Sequence, residues 1–239
     1  MIEVRKIYKS FESNLVLKGI DLDIFENEIM VILGPSGQGK TVFIKTLVRL
    51  LKPDSGSIRY DGLDILTLSK KEFRQFQNKF AFVFQNSALF DFLNIKENLS
   101  LFLKMHKRLS EEMILNEVTR AINFVGLDQD VLDKFPEELS EGMKKRVAIA
   151  RAMIKRPRYI FYDEPTAGLD KGNIERIGKL IVLLKKKFLA TSIVVTHDVN
   201  LMGEISDRVG LLKEGKITFV GRKTEISNRM LQNLYETGG

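Results

Sequence analysis

The sequence predicts an α/β core on a mainly parallel sheet, interrupted by an inserted α-helical subdomain. Three observations carry that expectation. Short apolar runs with strand character alternate with stretches of helical periodicity, as in parallel α/β sheets. The continuous apolar run 29–33 opens directly into a glycine-rich loop, so it reads as a buried strand. Residues 86–136 break the alternation and carry one helical pattern after another.

Each element has its own signal. Val4 and Ile7 suggest a first strand, and Ile20, Leu22 and Ile24 alternate as a second. After the glycine-rich loop, Phe43, Leu47, Leu50 and Leu51 follow helical spacing, and Lys52-Pro53-Asp54-Ser55-Gly56 supplies turn chemistry that stops the helix. Residues 80–84 read as a strand. In the insertion, Ile95, Leu99, Phe102 and Leu103 share one helical face, and Leu115, Val118, Ile122 and Val125 share another. Strand-like runs return at 159–162, 192–195 and 209–212, with helical patterns at 143–154 and 174–184. The tail from Arg222 ends in a helix.

Composition narrows the function classes. The 239 residues suit one large domain carrying an insertion, long enough to bury a substantial core. With no cysteine, disulfides and thiol chemistry are excluded, and two histidines (His106 and His197) exclude a histidine-rich metal site. The charges at the start have no apolar stretch behind them, so no signal peptide is expected. No window reaches the ~18 apolar residues of a spanning helix; the strongest candidate, 177–195, is broken by Lys185, Lys186 and Lys187. A net charge of +7 suits an anionic partner or a lysine-rich solvated surface.

The chemistry is carried by two motifs. Gly34-Pro35-Ser36-Gly37-Gln38-Gly39-Lys40-Thr41 fills G-x-x-x-x-G-K-[ST] at every position, between a buried strand and an amphipathic helix. This is the phosphate loop of a P-loop NTPase core: glycines let backbone N–H groups wrap a phosphate, and the helix N-terminus adds positive potential. Lys40 is expected on the β- and γ-phosphates of ATP and the Thr41 hydroxyl on Mg²⁺, with Val42 continuing the nucleotide-binding turn. Asp163 and Glu164 end the apolar strand 159–162, and ligands bind at the carboxyl ends of parallel strands. Asp163 is expected to hold Mg²⁺ and Glu164 to deprotonate the attacking water.

These pieces, with Gln85, Leu139-Ser140-Glu141-Gly142-Met143, Leu169-Asp170 and His197 in that chain order, resemble the ABC ATPase family over nearly the whole chain. The resemblance implies an N-terminal antiparallel β subdomain, an ATP-binding core at 1–85 and 157–239, and a helical subdomain at 86–156 holding the signature. It implies a head-to-tail dimer of two copies sandwiching ATP, in which Ser140 and Gly142 of one copy meet the γ-phosphate bound by the other. Gln85 is then a sensor of Mg²⁺ and the attacking water, His197 a γ-phosphate ligand, and Asp170 a residue acting across the dimer. Phe11 aligns with the aromatic that stacks on adenine, with Tyr8 as the alternative. Glu141 and Met143 depart from the family's Leu-Ser-Gly-Gly-Gln. A carboxylate ~4 Å from a phosphate would cost about 4 kcal/mol at an effective dielectric near 20, so Glu141 is expected to face solvent. If it faced inward, the half-site would be weak and the subunit regulatory.

Residues 39–45, Ser87-Ala88-Leu89-Phe90-Asp91 and the methionine ending the signature are similar to Mce- and Mla-type lipid-transport ATPases. That similarity implies an integral-membrane permease, an MCE-domain lipid-binding protein, and a peripheral position on the cytoplasmic face of the inner membrane. Phe90, Phe92 and Leu93 are expected to receive a short permease helix. Lipoprotein release and solute import are the alternatives within transport; action on nucleic acid or ribosomes is the alternative outside it. Lys144, Lys145, Arg146, Arg151, Lys155, Arg156 and Arg158 could meet phosphates, but are expected to form a solvated helix face, so no nucleic-acid partner is expected.

Overall fold

A computed structural model describes residues 1–106 and 109–236. Its larger sheet has six strands in the order β10 (Lys216–Arg222), β9 (Arg208–Lys213), β3 (Ile29–Leu33), β8 (Thr191–Thr196), β7 (Tyr159–Asp163) and β6 (Phe80–Val83). All neighbours are parallel except β10, which pairs antiparallel with β9. A four-stranded antiparallel sheet, ordered β2 (Asn14–Ile24), β1 (Ile2–Phe11), β4 (Ser55–Tyr60) and β5 (Leu63–Asp64), forms the N-terminal layer.

Two cores explain why the central strands read as unbroken apolar runs. Side chains alternate across a strand. Val31, Ile160, Tyr162 and Val194 pack one face against the later helices. Met30, Ile32, Phe161 and Ile193 pack the other against α1 (Lys40–Leu47) and the small sheet. With both faces covered, no position calls for a polar residue.

Between β6 and β7 lie α3 (Ile95–His106), α4 (Glu111–Phe124) and α5 (Glu141–Ile154). Ser110 and Ser140 cap the last two, each hydroxyl accepting the N–H of the third residue onward. Beyond β7 come α6 (Lys171–Phe188) and α7 (Val199–Ile205), and α8 (Asn228–Tyr235) closes the chain. The helix α2 (Lys70–Phe76) opens with a capping box between Ser69 and Glu72. Among the described residues no helix is long and apolar enough to cross a membrane.

Several expectations need correcting. The helix after the phosphate loop stops at Leu47, because Arg49 turns left-handed (φ 55°) and the N–H groups of Leu50 and Leu51 both fold back on Lys45 O. Leu50 is left 48% exposed. On α4 the buried face is Ile114, Val118, Ala121 and Ile122; Leu115 points outward. The strand expected at 80–84 ends at Val83. Strands β4, β5 and β10 and helix α2 carry weak or short periodicity and were not legible in the sequence.

Three of the basic residues near α5 do not belong to the expected solvated face, although Arg156 and Arg158 are exposed and pair with surface carboxylates. Lys145 is 3% exposed, Arg151 donates to the carbonyls of Ser87 and Ala88, and Arg146 donates to Gly126 O. Each satisfies backbone carbonyls at a turn, a job that needs a long donor rather than an apolar side chain.

One glycine of the loop is fixed by packing. A Cβ on Gly34 would lie 2.3 Å from Leu212 O, on β9 where it runs parallel beside the end of β3. Gly34→Ala is expected to destabilise the fold by about 1–3 kcal/mol. Urea unfolding measures this, and a midpoint equal to that of the parent protein would remove the close approach from the account.

Candidate nucleotide-binding site

The site is assembled where three parallel strands end. Strand β3 delivers the loop 34–39, β7 delivers Asp163 and Glu164, and β8 delivers His197. Gly37 and Gly39 take φ 79° and 96°, left-handed values that a side chain would oppose. Gly39 occupies the N-cap position of α1 with no side-chain cap, so the first-turn amides of that helix are not met from within it.

The loop, Glu164 and His197 face a common cleft of about 470 Å³. Ser36, Gly37, Gly39, Lys40, Thr41 and Val42 line one side. Glu164, His197 and Gln85 line another, and Phe11 closes an end together with Val16. Gly34 and Pro35 serve the loop through their carbonyls, which accept from Lys40 Nζ at 2.8 and 2.9 Å. The Gln38 side chain turns to the Glu214 N–H. Tyr8 packs against Gly19 and does not line the cleft, whereas Phe11 is 44% exposed there.

Glu164 is the electrostatic hub. Its Oε1 lies 3.1 Å from Lys40 Nζ and its Oε2 3.0 Å from His197 Nδ1. The residue is buried, and its backbone takes φ 45°, a strained value for a non-glycine. Its N–H donates to Val195 O at 2.9 Å, which fixes the turn after β7 to β8. Beside it, Asp163 is 2% exposed and accepts from Thr41 Oγ1 at 2.8 Å. Burial pushes the Asp163 carboxyl above the ordinary aspartate range, and the Thr41 hydrogen bond opposes that shift.

Ser140, Gly142 and Asp170 do not line this cleft. They sit at two other helix N-termini that interlock. Ser140 caps α5, and Asp170 caps α6 through the Asn173 N–H at 3.0 Å. That backbone bond, first, and the Asn173 amide, second, hold the Asp170 carboxyl below its usual range. A Cβ on Gly142 would lie 2.8 Å from Asn173 Oδ1, so the α5 terminus packs closely against Asn173 of α6 and leaves no room for a side chain at 142. Glu141 is largely exposed and pairs with Lys144 at 2.9 Å, as its expected outward orientation requires.

Four further residues shape the site without a sequence signal that singled them out. Val16 lines the cleft along with Phe11. Tyr235 of α8 donates to His197 O at 2.7 Å, from 38 residues away. Lys145 Nζ donates to Gln85 O. The buried Asn98 accepts from Phe90 N at 2.8 Å, and its amide donates to the carbonyls of Phe90, Leu93 and Asn94. Of these only Lys145 was named in the sequence, as one of a basic run expected to face solvent. Asn98→Leu is expected to free residues 90–94 and to lower the unfolding midpoint by about 2–4 kcal/mol equivalent, since several buried backbone groups lose their partner. Calorimetry with amide exchange of that segment checks it; unchanged exchange would show that the loop holds itself.

A sequence profile of the ABC transporter family matches residues 17–167. The probable ribonucleotide transport ATP-binding protein mkl of Mycobacterium leprae is 39% identical over 220 residues, covering 92% of this chain and 63% of that protein. The chain therefore spans less than two thirds of that relative's length. The lipoprotein-releasing system ATP-binding protein LolD of Bacteroides fragilis is 39% identical over 220 residues, covering 91% of this chain and 100% of that protein. Among solved structures, the dimeric ATP-binding cassette MJ0796 in a post-hydrolysis state bound to ADP and Pi matches with a TM-score of 0.86 at 30% identity, over 93% of this chain and 98% of that one.

Proposed function

Because the chain belongs to the ABC transporter family and is an ATPase of that family, we propose that two copies hydrolyse ATP head to tail and drive a separate integral-membrane permease. One observation carries this reading. The cleft gathers Lys40, Glu164, His197 and Gln85, while Ser140 and Asp170 cap helices outside it. The cleft therefore has one half of a phosphate cage, and the Ser140 end of α5 from a second copy supplies the other.

The residues divide the work. Lys40 exchanges its carbonyl and Glu164 partners for the β- and γ-phosphate oxygens. Phe11 offers a flat face for adenine. Glu164, released from Lys40, accepts the proton of the water that attacks the γ-phosphorus. His197 holds the γ-phosphate while its backbone stays fixed by Tyr235, and Gln85 orients the attacking water. Thr41 Oγ1, which lines the cleft, and the buried Asp163 Oδ1, 2.8 Å from it, are hard oxygen donors, a set that fits Mg²⁺. Bound there, the ion would neutralise charge on the β- and γ-phosphates.

The work leaves through the helical segment 86–156. An apolar groove of about 490 Å³ adjoins the Gln85 turn, lined by Phe82, Phe84, Ala88, Phe90, Leu101 and Phe102 among others. Lys155 lies in it with its ammonium 5.3 Å from the Phe102 ring centre. An amphipathic permease helix bearing a carboxylate matches that chemistry. Phe90→Asp is expected to leave nucleotide binding within about twofold and to abolish permease association. Retained association in a detergent pull-down would move the contact elsewhere.

For cargo, we propose lipid. The support is the similarity at 39–45 and 87–91 to Mce- and Mla-type ATPases; the relatives' own names range over ribonucleotide and lipoprotein systems. Purification of the tagged chain from native membranes tests the whole reading. The expected result is an integral-membrane permease with an MCE-domain protein. Recovery of ribosomes or nucleic acid in a salt-dependent manner would overturn it.

A further inference from the structure

We propose that Lys145 and Arg151 are positioning residues that make the Gln85 turn a rigid part of α5. This deepens, and rests on, the role given to Gln85 above. Lys145 Nζ donates to Gln85 O, and the Arg151 fork donates to Ala88 O at 2.7 Å and Ser87 O at 2.8 Å. The carbonyls of three of the four residues 85–88 are thus tied to one helix. The turn needs holding: Ser87 and Ala88 both take left-handed φ, 59° and 48°, which neither side chain favours. Ser87 is 2% exposed, so the strain sits where packing enforces it.

The choice of residue points to the turn and not to stability alone. Lys145 is 3% exposed on a helix whose neighbours Val147, Ala148 and Ile149 are apolar and buried. An apolar side chain there would avoid the desolvation of an ammonium. Burial pushes the Lys145 ammonium below the usual lysine range, against the opposing field of Glu141, Glu164 and Asp163. Among the described residues neither Lys145 nor Arg151 has a carboxylate as its hydrogen-bond partner; both direct their donors to the turn.

The geometry joins two sites. The N-terminal end of α5 is the Ser140 cap, which in the proposed dimer meets the triphosphate held by the other copy. Farther along, the same helix grips Gln85, which lines the cleft of its own copy. Closure of α5 on one nucleotide therefore sets Gln85 over the other, which couples the two hydrolysis events.

Steady-state ATP hydrolysis by the full chain, with ATP affinity measured separately, tests this. Lys145→Met is expected to lower kcat about 10-fold with ATP affinity within about twofold, because the lost interaction acts on the reaction and not on binding. The Hill coefficient is expected to fall towards 1, and amide exchange at 84–88 to accelerate. Lys145→Arg, which keeps a long donor, is expected to recover kcat to within about threefold of the parent protein. If Lys145→Met does not fold, Arg151→Lys, which keeps the charge and loses the fork, is expected to give the same pattern. In a Gln85→Ala background, Lys145→Met is expected to add less than about a twofold loss, as residues acting through one another are non-additive. Gln85→Ala with full kcat would sink the role of Gln85 itself. An impaired Gln85→Ala beside an unimpaired Lys145→Met, or losses that multiply in the double variant, would overturn the tie alone.

Discussion

Glu164→Gln is expected to bind ATP and to lose turnover by ~10²-fold or more, because an amide cannot take the proton of the attacking water. The substitution is close to isosteric, so the turn after β7 keeps its shape and the Glu164 N–H keeps Val195 O. Two neighbours feel the change. Lys40 loses an anionic partner at 3.1 Å and His197 loses one at 3.0 Å, which leaves both better donors for phosphate. Nucleotide affinity should therefore hold or rise while hydrolysis stops. The stalled species is an ATP-bridged dimer, visible as doubled mass in light scattering with ATP and Mg²⁺. Turnover within a few fold of the parent protein would remove Glu164 from its role as base.

Lys40→Met is expected to act in the opposite order, on binding first. A charge-assisted hydrogen bond contributes about 1.5–3 kcal/mol, so ATP affinity should fall roughly 10- to 100-fold. Stability should fall as well. Lys40 is 5% exposed and Glu164 is 7% exposed, so removing the cation leaves a buried carboxylate whose remaining ion-pair partner among the described residues is His197. Breaking one side of a buried pair costs about 3–5 kcal/mol, and His197, half exposed, offsets part of that. Double replacement with Glu164→Gln removes both charges and is expected to restore most of the unfolding midpoint without restoring affinity. Isothermal titration and urea unfolding of the single and double variants separate the two effects. A Lys40→Met protein that binds ATP as tightly as the parent would mean that the backbone amides of the loop hold the phosphates unaided.

Much of the site was legible in the sequence, because its chemistry is local. A phosphate cradle requires glycines at φ 79° and 96° and a lysine at the first turn of a helix, and these fall within eight consecutive residues. Two acids after an apolar strand mark the carboxyl end of a parallel sheet, wherever that strand lies in the order. The cap residues Ser140 and Asp170 likewise announce themselves by standing before helical patterns. The parallel core was legible for the same reason: strands buried on both faces show as unbroken apolar runs.

Edges and ties were not legible. Strands β4, β5 and β10 are half-exposed or very short, so their composition carries little period. The row of basic residues around α5 has the look of a solvated surface, and a charge has no sequence mark that tells water from a buried carbonyl. Tyr235 and Lys145 find their partners 38 and 60 residues away through the packing of separate elements, while Asn98 reaches back 4 to 8 residues into the loop before its own helix.

By itself the sequence determined which backbone would wrap a triphosphate and which strand would end in carboxylates. Those choices are made by φ preference and side-chain alternation within single elements. Only the tertiary structure decided that Lys40 and His197 both pair with Glu164, and that the Gln85 turn is tied to α5. Those contacts join residues 33 to 124 positions apart, and their energy comes from shared burial, which no local pattern encodes.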